Sequence, residues 1–317
     1  MRATHTIAGH GLTATFLELG AVLHDLRLDG HDAPLVLGLE DTGHYPEHSS
    51  YMGATAGRVA NRIGHARFPL DGALHRTDPN FAGKHTLHGG SEGTGKLDWD
   101  VLDVTADAIR FGIVLADGHM GFPGRIEIEA LFRCDPGATL RVEYEARADA
   151  PTICNLAHHS YFVLDDTGGL SRHTLRVAAD RYLAVDDDLI PTGPASVEGT
   201  TLDFRQGRAL PGEGLLDHNL CLAGARRDLT EVAVLRSEAS GVEMRLATTE
   251  PGLQVYDGAK LKGEVPGLGG RRYGPHAGVA LEPQLWPDAP NHDGFPSAML
   301  RPGETYRQVS TFSFSKG

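Results

Sequence analysis

The chain has 317 residues, with 29 basic and 42 acidic side chains and a net charge of −13. This acidic balance speaks against a nucleic-acid or anionic-membrane partner, because the global field repels polyphosphate, and it suits a neutral small ligand. No apolar run approaches the ~20 residues needed to cross a bilayer, and residues 1–9 lack the hydrophobic core of a signal peptide, so a cytoplasmic protein is expected.

From the N-terminus the hydrophobic period is two rather than 3.6. Residues 12–19 and 21–28 read as short strands divided by Gly20, and 34–39 is a short apolar run. Residues 40–65 contain Asp41-Thr42-Gly43-His44-Tyr45-Pro46 and Gly53, Gly57 and Gly64, a loop-rich stretch of the kind that carries binding residues. Asp71-Gly72 between two short apolar segments predicts a type I′ hairpin, whose central residues both need positive φ. Strands are predicted at 99–104 and 108–115. Ile126, Ile128, Ala130 and Phe132 then alternate with charged residues, as do Leu140, Val142, Tyr144 and Ala146. Asp135-Pro136-Gly137-Ala138 between them is a turn sequence, so this is a hairpin with one buried and one charged face. Similar alternation recurs at Leu175-Val177-Ala179, at Val242-Met244-Leu246 and over 306–314.

No stretch of a dozen residues carries an amphipathic helical stripe. The 40 glycines and 18 prolines are scattered, without a linker, a repeat or a low-complexity tail. The pattern predicts one domain over 1–317, an all-β fold built as a large antiparallel β-sandwich, with short helices if any. Cys134, Cys154 and Cys221 are odd in number and widely spaced, which fits reduced, buried thiols.

The residues able to do chemistry are far apart in sequence. His158 and His159 sit side by side within the apolar stretch 155–164. If that stretch is a strand, alternation sends them to opposite faces and only one can enter a pocket. Glu282 follows the apolar run Gly278-Val279-Ala280-Leu281 and precedes Pro283, which marks an edge, a bulge or a strand end. A carboxylate there is costly unless it is paired or used; it fits either a rim ion pair or a general base. His88 stands before two glycines that permit close approach of a ligand. Arg62, preceded by Asn61, offers a forked donor or a structural salt bridge. Asp217 in Asp217-His218-Asn219 suits hydrogen bonds from a sugar or ordinary turn chemistry. Trp99 and Trp286 are the only tryptophans; core packing is the expectation for Trp99, while Trp286 is a candidate platform for a sugar ring. His85 and His88 share a His-x-x-His spacing, but no acidic or cysteine ligand has matching spacing, so no metal is expected. No serine-nucleophile elbow, Walker loop or dinucleotide fingerprint has the right flanks.

Six separated segments, in order, together resemble the aldose 1-epimerases, also called galactose mutarotases. They are Gly57-Arg58-Val59-Ala60-Asn61-Arg62-Ile63, His85-Thr86-Leu87-His88-Gly89-Gly90, Gly121-Phe122-Pro123-Gly124, the stretch 155–164, Asp217-His218-Asn219, and Leu281-Glu282-Pro283-Gln284 with Pro287-Asp288-Ala289-Pro290-Asn291-His292. The resemblance implies a galactose mutarotase-like supersandwich that holds a free aldohexose such as galactose or glucose in an open cleft, as a monomer or homodimer, without cofactor. It implies that Glu282 removes the proton of the anomeric hydroxyl, that His159 protonates the ring oxygen with His88 beside it, and that Arg62, Asn61 and Asp217 hold ring hydroxyls. His158, Gln284 and Trp286 are secondary candidates. The chain departs from the family pattern at His158, where asparagine is usual, at Asp257, where threonine is usual, and at Trp286, where a smaller aromatic is common.

Three other functions suit parts of this pattern. A hexose 6-phosphate 1-epimerase would need basic residues around the sugar's C6 end, for which Arg271-Arg272 is the nearest hint. A sugar-binding or regulatory module would have no use for a matched acid and base. A glycoside hydrolase would need two carboxylates at a set separation, such as Glu282 and Asp217.

Overall fold

The computed structural model describes residues 1–211 and 216–317. Among them the period-two segments assemble into a nine-stranded antiparallel sheet. Its spatial order is Arg208–Leu210, His173–Val177, Thr230–Ser237, Val242–Thr248, Tyr306–Lys316, Thr139–Ala148, Ile126–Asp135, Ala108–Leu115 and Asp100–Val104. The hairpin read from alternation keeps an unbroken register from Ile126↔Ala148 to Asp135↔Thr139. The Asp71-Gly72 turn joins Arg67–Leu70 to Ala73–Arg76 with φ of 48° and 81°, as a type I′ turn requires.

A six-stranded sheet runs Tyr161–Phe162, Val279–Gln284, Gly252–Tyr256, Asp217–Cys221, Arg181–Val185 and Pro191–Ser196. A third sheet joins Thr4–Gly9, Leu12–Leu17 and Val22–Leu28. The first of these strands escapes a reading by alternation because Ile7 is its one buried residue. The inner faces meet in one cluster that takes Phe16 and Leu23 from the third sheet, Phe132, Val142 and Phe312 from the large sheet, and Leu253, Val255, Val279 and Leu281 from the six-stranded one. Face-to-face burial of alternate residues is what makes this a sandwich.

Among the described residues helical structure is confined to Tyr45–His48 and short 3-10 turns. Among the described residues no helix is long and apolar enough to cross a membrane. Trp99 is core, its indole N–H donating to the Thr94 carbonyl at 3.0 Å, and all three cysteines are unbridged.

The stretch 155–164 is not one plain strand. Ala157–His158 pairs with Thr55–Ala56, and Tyr161–Phe162 pairs with Val279–Gln284. The chain changes partner at His159-Ser160 because its two neighbours belong to different sheets. Pro283 lies inside its strand, opposite Leu253, but beyond the point where Tyr161–Phe162 pairs on the other side. Proline is tolerated on such a half-edge; the Gln308 side-chain amide donates to its carbonyl at 2.9 Å.

Candidate active site

Alternation along Val279–Gln284 places Val279 and Leu281 in the core and turns Glu282 to the outer face of the six-stranded sheet. On the adjoining strand Gln254, flanked by core residues Leu253 and Val255, pairs with Glu282, while Asp217 pairs with Tyr256. The sheet therefore presents a row of polar side chains on a face where its neighbours are apolar.

Glu282 and Asp217 of this row line a cleft of about 280 Å³, near the lower bound of roughly 300 Å³ for small-molecule pockets. Every residue assigned a primary role by resemblance lines it: Glu282, His159, His88, Arg62, Asn61 and Asp217. Glu282 is 2% exposed and His159 5%; their Oε1 and Nε2 atoms are 3.6 Å apart. The other carboxylate oxygen of Glu282, Nδ1 of His159 and Nε of Arg62 are buried without a protein partner. Orphaned groups of both polarities in one cavity suit a ligand that donates and accepts, as a polyol does.

The remaining groups are held firmly. Asn61 donates its backbone N–H to Nδ1 of His88 at 3.2 Å, and the His88 N–H returns a bond to the Asn61 carbonyl at 3.0 Å. With Nδ1 accepting, the neutral ring carries its proton on Nε2. Arg62 donates to Asp217 at 3.1 Å and to the Asn61 side-chain oxygen at 3.3 Å, and its guanidinium lies 4.9 Å from the Phe81 ring centre. Gln254 donates to the second Asp217 oxygen at 2.6 Å. Both Asp217 oxygens are thus engaged, which leaves Glu282 as the carboxylate of the cleft with a free oxygen.

Burial dominates the electrostatics. It pushes the Glu282 carboxyl well above its ordinary range, with Asp217 adding to the rise and Arg62 opposing it. Burial draws His159 down to about 4, against smaller upward pulls from its own backbone and then from Asp217. His88 is held well below 6.5 by burial, then by His159 and Arg62. A low-dielectric cleft disfavours each separate charge, so when the Glu282–His159 pair holds one proton, the form with that proton on Glu282 is favoured.

His158 lies off the cleft. Its ring sits between Phe132 and Phe312, with centroids 5.8 Å away on each side, and Nε2 meets the Ser160 hydroxyl at 2.8 Å. Burial lowers it to about 3. A histidine kept neutral in the fold but titrating near 6.5 when unfolded stabilises the protein above pH 6.5, and this contribution is lost as pH falls towards 3. At pH 4 the loss is about 3 kcal/mol. We therefore expect His158→Asn to cost about 1–3 kcal/mol of packing at neutral pH yet to weaken less between pH 6.5 and 4; urea unfolding across that range checks this.

Gln284 and Trp286 also lie outside the cleft lining. Gln284 is fully buried with both amide atoms unpartnered. Trp286 donates its indole N–H to the Pro251 carbonyl at 3.0 Å and stands edge-on to Phe295. The aromatic walls are instead Tyr51, Phe81, Tyr161 and Tyr256. Gln254 carries the same signal in the sequence that singles out Glu282, one polar residue in an apolar run; no periodic signal marks Tyr51. Arg271 and Arg272 line a different cavity, with Arg272 tied to the carbonyls of Gly263 and Glu264. His85 turns to the His65 N–H at 3.0 Å rather than towards His88, and among the described residues no three His, Cys, Asp or Glu side chains are grouped to hold a metal ion.

Comparison with known proteins agrees along the whole chain. The family model described as aldose 1-epimerase matches residues 3–313. The galactose mutarotase of Bos taurus is 38% identical over 319 residues, spanning 98% of this chain and 90% of that protein. The aldose 1-epimerase of Escherichia coli (strain K12) is 33% identical over 321 residues, spanning 96% and 92%. Among solved structures, the aldose epimerase homologue from C. elegans aligns over 99% of both chains with a TM-score of 0.92 and 33% identity.

Proposed function

Since the chain belongs to the aldose 1-epimerase family, we propose that its cleft opens and recloses a free aldohexose, galactose or glucose first, with Glu282 and His159 as the proton-transfer pair. The protein is a mutarotase, an isomerase that interconverts sugar anomers. The observation that carries the assignment of roles is the buried Glu282–His159 pair at 3.6 Å, with an orphaned oxygen on one partner and an orphaned nitrogen on the other.

A cyclic hemiacetal opens when its anomeric hydroxyl loses a proton and its ring oxygen gains one. Glu282 as carboxylate accepts the first, and His159 as imidazolium delivers the second, each worth about 10²–10⁴-fold. Asp217 opposes the carboxylate and Arg62 favours it, while Asp217 favours the imidazolium; the charged form of the pair is one internal proton shift from the neutral one. His88, with Nε2 protonated, donates beside the ring oxygen. Rotation about C1–C2 and the reverse transfers close the ring on its other face and restore the pair. Arg62, Asn61 and Asp217 hold the remaining hydroxyls.

We take residues 1–317 as one functional unit, because the core cluster draws on strands from Ile7 to Phe314, and as a cytoplasmic monomer or homodimer, in keeping with its unbridged thiols. The test is polarimetry of freshly dissolved α-D-galactose and α-D-glucose with EDTA-treated protein. Faster approach to the same final rotation is expected; no acceleration with either sugar would remove the free-hexose reading.

Binding has its own test. Arg62→Lys keeps the charge but loses the fork that joins Asp217 and Asn61. We expect KM to rise about 10–100-fold with a smaller change in kcat, read from initial rates over a range of galactose concentrations.

A further inference from the structure

Beside the cleft lies a second recess of about 210 Å³, similar in size to the cleft itself. The two share Ser50 and Tyr51, and the recess is otherwise walled mainly by Leu19, Tyr45, Glu47, Ser49, Gly95 and Lys96. Tyr51 is the partition. Its ring is 4.6 Å from that of His88 and 5.9 Å from that of His159, nearly parallel to the latter, and the Lys96 ammonium lies 5.5 Å from its centre. Ser50 and Tyr51 both have positive φ, 48° and 62°, which is unusual for residues with side chains and out of the ordinary for a bulky aromatic. The Tyr161 hydroxyl, donating to the Ser50 carbonyl at 3.2 Å, helps fix this turn.

In the orientation proposed above, both histidines face the ring oxygen, whose far neighbour, C5, carries C6. Glu282 marks the C1 side, and Arg62 with Asp217 the hydroxyls opposite. The wall nearest C6 is then Ser50-Tyr51, and the recess beyond it is where a group attached to the C6 oxygen would go. Its charge is balanced, one lysine against Glu47, so it suits a neutral hydroxylated group better than a phosphate dianion. Tyr51 gives an aromatic face for a sugar ring to lie against, while Ser49, Glu47 and Lys96 can meet hydroxyls.

We infer that this recess is a second sugar subsite, and that the substrates of the protein include reducing disaccharides glycosylated at C6 of the hexose that is epimerised. This rests on the proposed placement of the ring in the cleft. Isomaltose and maltose, two glucose disaccharides that differ only in 6- or 4-linkage, test it, with glucose and glucose 6-phosphate alongside. Proton NMR exchange between the two reducing-end anomers at equilibrium reads the rate for each. We expect kcat/KM for isomaltose to exceed that for maltose by at least about tenfold, the discrimination that one filled pocket supplies. In Glu47→Trp, a change at an exposed rim residue, that advantage should disappear, while glucose stays within about twofold. Equal rates for the two disaccharides would overturn the subsite even with glucose turned over. A preference for glucose 6-phosphate that is lost in Lys96→Ala would overturn it in favour of an anion site. No exchange with glucose itself would instead sink the free-hexose reading beneath it.

Discussion

Glu282→Gln is expected to lower kcat about 10²–10⁴-fold while the affinity for galactose stays close to that of the parent. Glutamine keeps the volume of the side chain and its place on the strand, so the pairing with Gln254 and the packing of Leu281 persist. It removes the one group that can hold the anomeric proton, because both Asp217 oxygens are already engaged by Arg62 and Gln254. Polarimetry gives the rate and titration calorimetry the affinity. A glutamine variant with parental kcat would show that the base is another group. The parent's pH profile belongs to the same argument: kcat/KM should fall on the acid side as the pair takes up a second proton, near the value of about 4 to which His159 is lowered. On the alkaline side it should fall as the shared proton is lost; in Glu282→Gln that proton can sit only on His159, so the limb of whatever rate remains should move to lower pH.

The second large effect separates the two adjacent histidines. His159→Asn should lose about 10²–10⁴-fold in kcat, whereas His158→Asn should stay within about tenfold of the parent. The change of strand partner at His159-Ser160 sends one ring to the cleft wall and the other between Phe132 and Phe312. Rates of both variants with galactose, each with a melting curve, check this: the expected pattern is an inactive but stable His159 variant and an active but less stable His158 variant. The reverse order of rates would move the acid to His158.

The sandwich was legible because alternation over ten-residue strands such as Ile126–Asp135 is a strong signal. The site was legible in part. A lone Glu282 in an apolar run and two neighbouring histidines stand out against their surroundings; which histidine faces the ligand depends on a partner exchange between two-residue strands that no local pattern encodes. Trp286 and Gln284 follow Glu282 too closely in sequence to be told from lining residues, and only the turn of the chain after the strand takes the tryptophan to Pro251 and Phe295. Tyr51 was hidden for the opposite reason, because its position comes from two left-handed residues that few sequences would announce.

The cleft is built from two kinds of support. Glu282, Gln254 and Asp217 stand on adjacent strands of the six-stranded sheet, whose far side is core, whereas Arg62 and His88 depend on the two-residue ladder of Arg62–Ile63 with Thr86–Leu87, and Tyr51 on a turn. Evolution can therefore work on the two halves at different cost. A change near the base disturbs the packing that keeps the chain folded, but a change at Tyr51, carried on its turn, bears mainly on what is held against it. Descendants of this chain would drift in sugar preference well before they abandoned the reaction.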